Sequence, residues 1–352
     1  MLQAVPSKEI QNEETPLMSA SDIEQINTTI SKFPENTQFA VAKIENGEIC
    51  FYGVEKTNDS LNVINNDKSV FEIASISKVF TSTMLAQLSL DGKLALDDDI
   101  AKYLDVEINN NAQINFMQLA NHSSGLPRLP PGLLWPSLFT NQENPYGQYG
   151  ENKLIGYVEN KLKQKKIGKY RYSNLAVGLL GHILGRVLNT NYEAALQQLV
   201  CQPLELNSTT TDRSSISQTL VQGRNKKGKE FPFWDFNVLA GAGGIYSNVS
   251  DLAKFILANF DENNHALQLQ QKSTLEVNKG LKVGLGWHLV NSKQTNNADW
   301  LFHNGATYGS SSELLADPAN KKSVILLTNV SGKFLIKAGK LQKLILELMK
   351  ST

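Results

Sequence analysis

Residues 71–90 read FEIASISKVFTSTMLAQLSL, and this stretch decides the fold. The run from Phe71 to Ser75 leads into a predicted helix over 76–90, in which apolar side chains recur at helical spacing. Asp91-Gly92 follows and is typical of a helix end. The sequence therefore predicts that a serine, Ser75, stands at the start of a helix.

Ser75 and Lys78 form the only Ser-x-x-Lys pattern in the chain. Residues at i and i+3 are neighbours on one helix face, so the lysine amine can take the proton of the serine hydroxyl. The free N–H groups and the positive end of the dipole at a helix start favour the negative charge that a nucleophile develops. The alternative is a capping serine beside a solvated lysine, and this pattern alone leaves both interpretations open.

The elements on either side of this stretch predict an α+β fold. Strand-like runs at 39–44 and 49–52 are joined by Asn46-Gly47, the strongest short hairpin signal. Further strand-like runs lie at 281–290, 299–303, 311–316 and 323–330, and helices are predicted at 23–31 and 334–349. Helical patterns dominate between them, and residues 175–188 are typical of a buried packing helix.

We therefore expect an antiparallel sheet flanked by the N- and C-terminal helices, with an inserted all-α domain. The predicted division is a polar N-terminal arm over 1–20, an α/β domain over 21–92 and 201–352, and the helical domain over 93–200.

Composition excludes several functional classes. The 352 residues can bury a core without disulfides or a structural metal. Lys+Arg and Asp+Glu both number 34, which gives no electrostatic footprint for nucleic acid. No apolar run is long enough to span a membrane, and the charges in the first twenty residues do not predict a signal peptide. Cys50 and Cys201 are expected to be buried apolar side chains.

Two Tyr-Ser-Asn tripeptides occur, and only one is a candidate for chemistry. Tyr172 lies beside cationic residues, where a tyrosine can relay a proton, and Asn174 can hydrogen bond to a substrate amide. The copy at 246–248 follows a glycine run, and Ser247 or Ser250 is expected to cap the next helix. We therefore interpret the second copy as structural.

A third candidate is His303-Asn304-Gly305, at the end of a strand-like run. Glycine permits close approach, so a strand here could offer backbone N–H groups to a carbonyl oxygen; a plain turn is the alternative. The histidines show no metal-ligand spacing, and no nucleophile elbow, Walker loop or dinucleotide fingerprint is present.

Together, Ser75-x-x-Lys78, Tyr172-x-Asn174 and His303-x-Gly305 resemble, in this order, the motifs of the serine β-lactamase and penicillin-binding-protein family. The resemblance covers about residues 21–348 and is to the branch of class C β-lactamases, D-alanyl-D-alanine carboxypeptidases and family VIII esterases. Supporting stretches include 91–98, 121–127 and 243–247. Class C β-lactamases usually carry Lys-Thr-Gly as the third motif. A histidine is mostly neutral at pH 7, so His-Asn-Gly is more similar to the peptidase and esterase members.

The resemblance implies a cleft in which Ser75 forms an acyl-enzyme while Lys78 and Tyr172 share the proton transfers. It leaves open which of the two acts first. It implies an oxyanion hole from the backbone N–H groups of Ser75 and Ala306. The residues expected to bind substrate are Asn174, His303, Asn304 and Gly305.

The resemblance implies no cofactor and no metal. The expected partner is a small-molecule or peptide substrate: a peptide ending in D-amino acids is ranked first, a small ester second and a β-lactam third. A penicillin-binding sensor that acylates once without turnover is the alternative of another class. The resemblance implies a periplasmic or extracellular location, and a cytoplasmic one stays open because no signal peptide is predicted.

Overall fold

A ten-stranded sheet forms the centre of the computed structural model, which describes residues 1–15, 17–131, 133, 144–291, 295, 298–331 and 338–351. Its strands are β1 Lys8–Gln11, β2 Thr37–Glu45, β3 Glu48–Thr57, β4 Ser60–Val63, β7 Leu275–Asn278, β8 Leu281–Val283, β9 His288–Val290, β10 Trp300–Ala306, β11 Ser311–Asp317 and β12 Lys322–Thr328. Their order in the sheet is β1-β3-β2-β12-β11-β10-β9-β8-β7, with β4 also paired to β3. Every pairing is antiparallel except the parallel pair β1 and β3.

Helices cover the sheet, and a short pair, β5 Phe71–Glu72 and β6 Tyr246–Ser247, lies beside it. The described α-helices are α1 Ala20–Ile30, α2 Ser77–Leu90, α3 Phe116–Ala120, α4 Glu151–Asn160, α5 Asn174–Val187, α6 Tyr192–Leu196, α7 Val249–Phe260, α8 His265–Gln271 and α9 Ala338–Lys350. The α+β class is confirmed. Among the described residues, none of the helices combines the length and the hydropathy of a membrane span.

The side chains of the central strands alternate between two cores. In β2, Ala40 and Ala42 belong to the core shared with α2 and α7, whereas Phe39 and Val41 belong to the core shared with α1 and α9. The predicted hairpin is confirmed: β2 and β3 are joined at Asn46-Gly47, and both residues have positive φ, as a tight primed turn requires.

The structure differs from the sequence predictions at several places. Within the expected polar arm, β1 pairs with β3, because backbone pairing does not require apolar side chains. Helix α1 begins at Ala20 because Ser19 forms a capping box. Asn248, rather than Ser247 or Ser250, caps α7 by accepting a hydrogen bond from the Asp251 N–H group. The run 281–290 forms two strands, and residues 334–337 of the predicted last helix lie outside the described residues.

Helix α2 lies inside the molecule, and its residues from Ser77 to Leu88 are buried. Helix α5 is the packing helix that the sequence predicts: a Cβ on Gly178 would lie 2.4 Å from the Leu239 side chain. Burial on all sides of α2 places Lys78, in its first turn, inside the protein. Cys50 and Cys201 are free and buried, as expected.

Candidate active site

Ser75 lies in a short 3₁₀ turn, Ala74–Ile76, that connects β5 to α2. Strand β5 pairs with β6, and the Ile73 N–H group donates to the Ile245 carbonyl at 3.1 Å, which holds the entry to the turn. Ala74 has a φ of 48°, in the left-handed region that alanine rarely adopts. Such strain persists only where surrounding contacts impose it, and it clusters at functional sites.

Lys78 points at the serine from the first turn of α2. Its Nζ lies 3.0 Å from Ser75 Oγ and 2.5 Å from the Ala242 carbonyl oxygen. The lysine side chain is fully buried, and no side chain caps the start of α2. The alternative of a capping serine beside a solvated lysine is therefore wrong.

Tyr172 stands beside this pair, just before α5. Lys78 Nζ and Arg128 Cζ each lie 4.9 Å from the centre of its ring. Burial raises the pKa of Tyr172, and a hydrogen bond with Ser75 acts in the opposite direction. Ser173 caps α5 by accepting a hydrogen bond from the Ala176 N–H group at 2.9 Å. This cap fixes the start of the helix, and Tyr172 lies directly before it.

The other tyrosine of the repeated tripeptide lies elsewhere. Tyr246 forms part of β6, and its hydroxyl donates to the Trp234 carbonyl at 3.5 Å.

Asn174, which was expected to bind substrate, instead contacts a tyrosine: its Nδ2 donates to the Tyr146 hydroxyl at 2.8 Å. Neither Tyr246 nor Asn174 lines the cavity at Ser75.

Strand β10 passes against the Ser75 turn at Gly305. A Cβ at this position would lie 2.4 Å from the Ile73 carbonyl oxygen and 2.7 Å from Ser75 N, so only glycine fits. β9 pairs with residues 300–302 of β10, so Asn304, Gly305 and Ala306 have a free edge with respect to the strands that the structure describes. This edge lines a cavity of about 400 Å³ together with Ser75 and Tyr172.

The position of His303 differs from the one expected for a residue that binds substrate, because His303 does not line the cavity. It is 1% exposed, and its Nδ1 lies 2.9 Å from the Asn304 carbonyl oxygen. Burial lowers its pKa well below the usual value, and the nearby His288 and Lys78 add to this effect. Side chains alternate along β10, so His303 faces the core with its cross-strand partner Leu314, and Asn304 faces the other way.

The cavity is also lined by six residues that the sequence analysis did not assign: Arg128, Tyr170, His288, Ser311, Glu313 and Leu341. The Tyr170 hydroxyl lies 2.8 Å from His288 Nε2. Burial lowers the pKa of His288 to about 4 and raises that of Glu313 to about 8. Arg128 directly follows the stretch 121–127 that carries the family resemblance, which was a usable signal; nothing local marked Glu313.

The described residues contain no group of three or more His, Cys, Asp or Glu side chains that could hold a metal ion. The chemistry available at this site is proton transfer among Ser75, Lys78 and Tyr172, next to backbone N–H groups. The buried amine of Lys78 lies at hydrogen-bond distance from the hydroxyl of Ser75, and Ser75 stands just before a helix. This arrangement is suited to acyl transfer.

Comparison with known proteins agrees with this class. The Beta-lactamase family profile matches residues 26–347. The chain therefore belongs to the Beta-lactamase family, whose members are serine hydrolases.

Among relatives, a β-lactamase of Providencia stuartii is 29% identical over 249 residues, which are 69% of this chain and 60% of that protein. The D-alanyl-D-alanine-carboxypeptidase/endopeptidase AmpH of Escherichia coli (strain K12) is 26% identical over 287 residues, which are 73% of this chain and 70% of that protein.

Solved structures share the fold. A class C β-lactamase from Rhodobacter sphaeroides has a TM-score of 0.76 at 18% identity, with 94% of this chain and 99% of that one covered. A β-lactamase/D-alanine carboxypeptidase from Pseudomonas syringae has a TM-score of 0.74 at 21% identity, with 93% and 99% covered.

Proposed function

We propose that this protein hydrolyses an amide or ester bond through an acyl-enzyme on Ser75. The observation that carries the proposal is the 3.0 Å distance from Lys78 Nζ to the Oγ atom of Ser75, which lines the cavity that β10 borders. A buried amine at hydrogen-bond distance is positioned to take the serine proton during attack.

The proton path follows from the surroundings of the two bases. The raised pKa of Tyr172 opposes a resting phenolate, so we assign the first proton transfer to Lys78. Ser75 Oγ then attacks the substrate carbonyl, and the tetrahedral intermediate expels its leaving group, which takes a proton from the Tyr172 hydroxyl. Lys78 returns a proton to Tyr172. In deacylation a water attacks the ester, loses its proton to the same pair, and Ser75 regains its hydrogen.

The developing oxyanion would be bound by the N–H groups of Ser75 and Ala306. Close packing of Gly305 against Ser75 N supports this assignment, because it brings the two segments together. Removal of one such donor typically costs about 10²–10³ in kcat.

Among substrates, we favour a peptide that ends in D-amino acids. The names of two similar proteins, AmpH and the Pseudomonas syringae enzyme, include D-alanine carboxypeptidase activity. Arg128 is the one cationic side chain among the described residues that line the cavity, and it can hold a terminal carboxylate. A small ester is the second candidate, since His303 supplies no cation at the third motif. A β-lactam remains third for the same reason.

Arg128→Gln tests this assignment, with Arg171→Gln as the matched control because Arg171 is a neighbouring cation that does not line the cavity. Arg128→Gln should lower kcat/KM for N-acetyl-D-Ala-D-Ala by about tenfold or more and leave p-nitrophenyl acetate hydrolysis nearly unchanged. Equal loss on both substrates, or no loss, would contradict a carboxylate contact.

Turnover distinguishes a hydrolase from a sensor. With p-nitrophenyl acetate, a hydrolase releases many equivalents of nitrophenol, whereas a single stoichiometric burst would show that the acyl-enzyme is not hydrolysed. We also propose a periplasmic or extracellular location, in line with the family resemblance. Recovery of the native protein in the cytoplasmic fraction would contradict it.

A further inference from the structure

Glu313 is a buried carboxyl group in the wall of the cavity that contains Ser75. The residue is 3% exposed, yet it lines this cavity. Its Oε2 has no hydrogen-bond partner within the part of the chain that the structure describes. A buried polar oxygen without a partner is costly, so a site that keeps one requires an explanation.

The position of Glu313 joins it to the third motif. Glu313 on β11 stands directly opposite Asn304 on β10. Burial raises the pKa of Glu313, and the polar side chain of Asn304 acts in the opposite direction. The Oε2 atom of Glu313 is left for a donor that enters the cavity.

The geometry also indicates which part of a substrate would reach Glu313. The oxyanion hole lies at the Ala306 end of the free β10 edge. Tyr172, the donor to the leaving group, lies toward the other end, where its ring stacks on His288 of β9 at 6.3 Å. By strand register, Asn304 and its partner Glu313 lie between these two ends, and we infer that the leaving group lies along this stretch.

We propose that Glu313 forms a subsite for a primary ammonium group carried by the leaving group of the substrate. This inference rests on the proposed function of Ser75. Glu313 is the only acidic side chain among the described residues of the cavity wall. An ammonium group would supply both the donor that Oε2 lacks and the opposite charge.

The pH dependence supplies an independent signature. Burial raises the pKa of Glu313 to about 8, so the carboxyl group gains its charge as pH rises from 7 to 8.5. Burial lowers the pKa of His288 to about 4 and raises the pKa values of Tyr170 and Tyr172, so these three side chains of the cavity wall do not change charge in this range.

Two matched esters test the inference: phenyl acetate and 3-(aminomethyl)phenyl acetate, which differ by an ammonium group on the leaving phenol. The measurement is the ratio of their kcat/KM values in the wild type and in Glu313→Gln at pH 8.5. Glu313→Gln should reduce the preference for the aminomethyl ester by about tenfold or more. The wild-type preference should increase between pH 7 and 8.5, and the variant should show no such increase.

Glu72→Gln is the control, because Glu72 is also a buried carboxyl whose burial raises its pKa, to about 7, but it does not line the cavity. Its oxygens accept from the Trp234 N–H group and the Thr307 hydroxyl. Glu72→Gln should change both esters alike and leave their ratio unaltered. If Glu313→Gln does not fold, the pH dependence of the wild-type preference carries the test.

The outcomes separate the two proposals. Ser75-dependent hydrolysis with an unchanged ester ratio in Glu313→Gln, or with a wild-type preference that does not rise with pH, overturns the ammonium subsite alone. Hydrolysis that persists in Ser75→Ala, or the absence of hydrolysis of either ester, overturns the proposed function and the subsite with it.

Discussion

Replacement of Gly305 by alanine should uncouple the Ser75 turn from β10. The added methyl would lie 2.4 Å from the Ile73 carbonyl oxygen and 2.7 Å from Ser75 N, closer than the 3.0 Å that real Cβ atoms respect. Both partners are backbone atoms, so no side chain can rotate away, and the two segments must separate by at least about 0.6 Å.

The magnitude follows from this displacement. Overpacking of this kind typically costs about 1–3 kcal/mol of folding free energy. The larger effect should be on catalysis, because the Ala306 N–H group moves with β10 and away from the oxyanion. A lost oxyanion donor lowers kcat by about 10²–10³.

Hydrolysis of p-nitrophenyl acetate gives kcat, and thermal unfolding followed by circular dichroism gives the stability. Gly156→Ala is the matched control, since Gly156 lies in α4 and a methyl group added there would have no neighbouring atom within 4 Å. In a helix this substitution should stabilise by about 1 kcal/mol and leave kcat unchanged. Wild-type kcat and stability in Gly305→Ala would refute the assignment of β10 to the oxyanion hole.

Three further predictions concern the side chains. Ser75→Ala should abolish covalent labelling by a fluorophosphonate without loss of the fold, because this serine caps no helix; labelling that persists at another serine would remove the nucleophile assignment. Tyr172→Phe should lower kcat by about 10²–10⁴, whereas Tyr246→Phe should leave it near wild type; comparable losses in two folded variants would contradict the choice of Tyr172. The pKa of His288 is about 4 in the folded protein, below the ordinary value of 6.5. Between pH 6.5 and 4 the unfolded chain therefore binds a proton on this histidine that the folded protein does not, and stability falls as the pH is lowered. The free energy of unfolding of the wild type relative to His288→Asn should therefore decrease by about 3 kcal/mol from pH 7.5 to 4, measured by urea titration, and a constant difference would show that His288 is not held neutral.

The sequence alone predicted those features whose geometry depends on residues close together in the chain. Ser75 and Lys78 meet because residues three apart share a helix face, and the Asn46-Gly47 turn defines the register of β2 and β3. The order of the three motifs predicted the family, and with it the sheet and the helices around it. Parallel pairing of β1 was missed because its polar side chains carry no alternating pattern.

Only the tertiary structure decided which side chains are buried in a core and which line the cavity. His303 and Asn304 are adjacent in the chain, yet one is buried in the core and the other lines the cavity, because successive side chains of a strand point to opposite faces. Arg128 and Glu313 are far apart in the chain, and only the tertiary structure brings the guanidinium and carboxyl groups to one cavity. The raised pKa of Glu313 and the lowered pKa of His303 are set by desolvation, which no single stretch of sequence encodes.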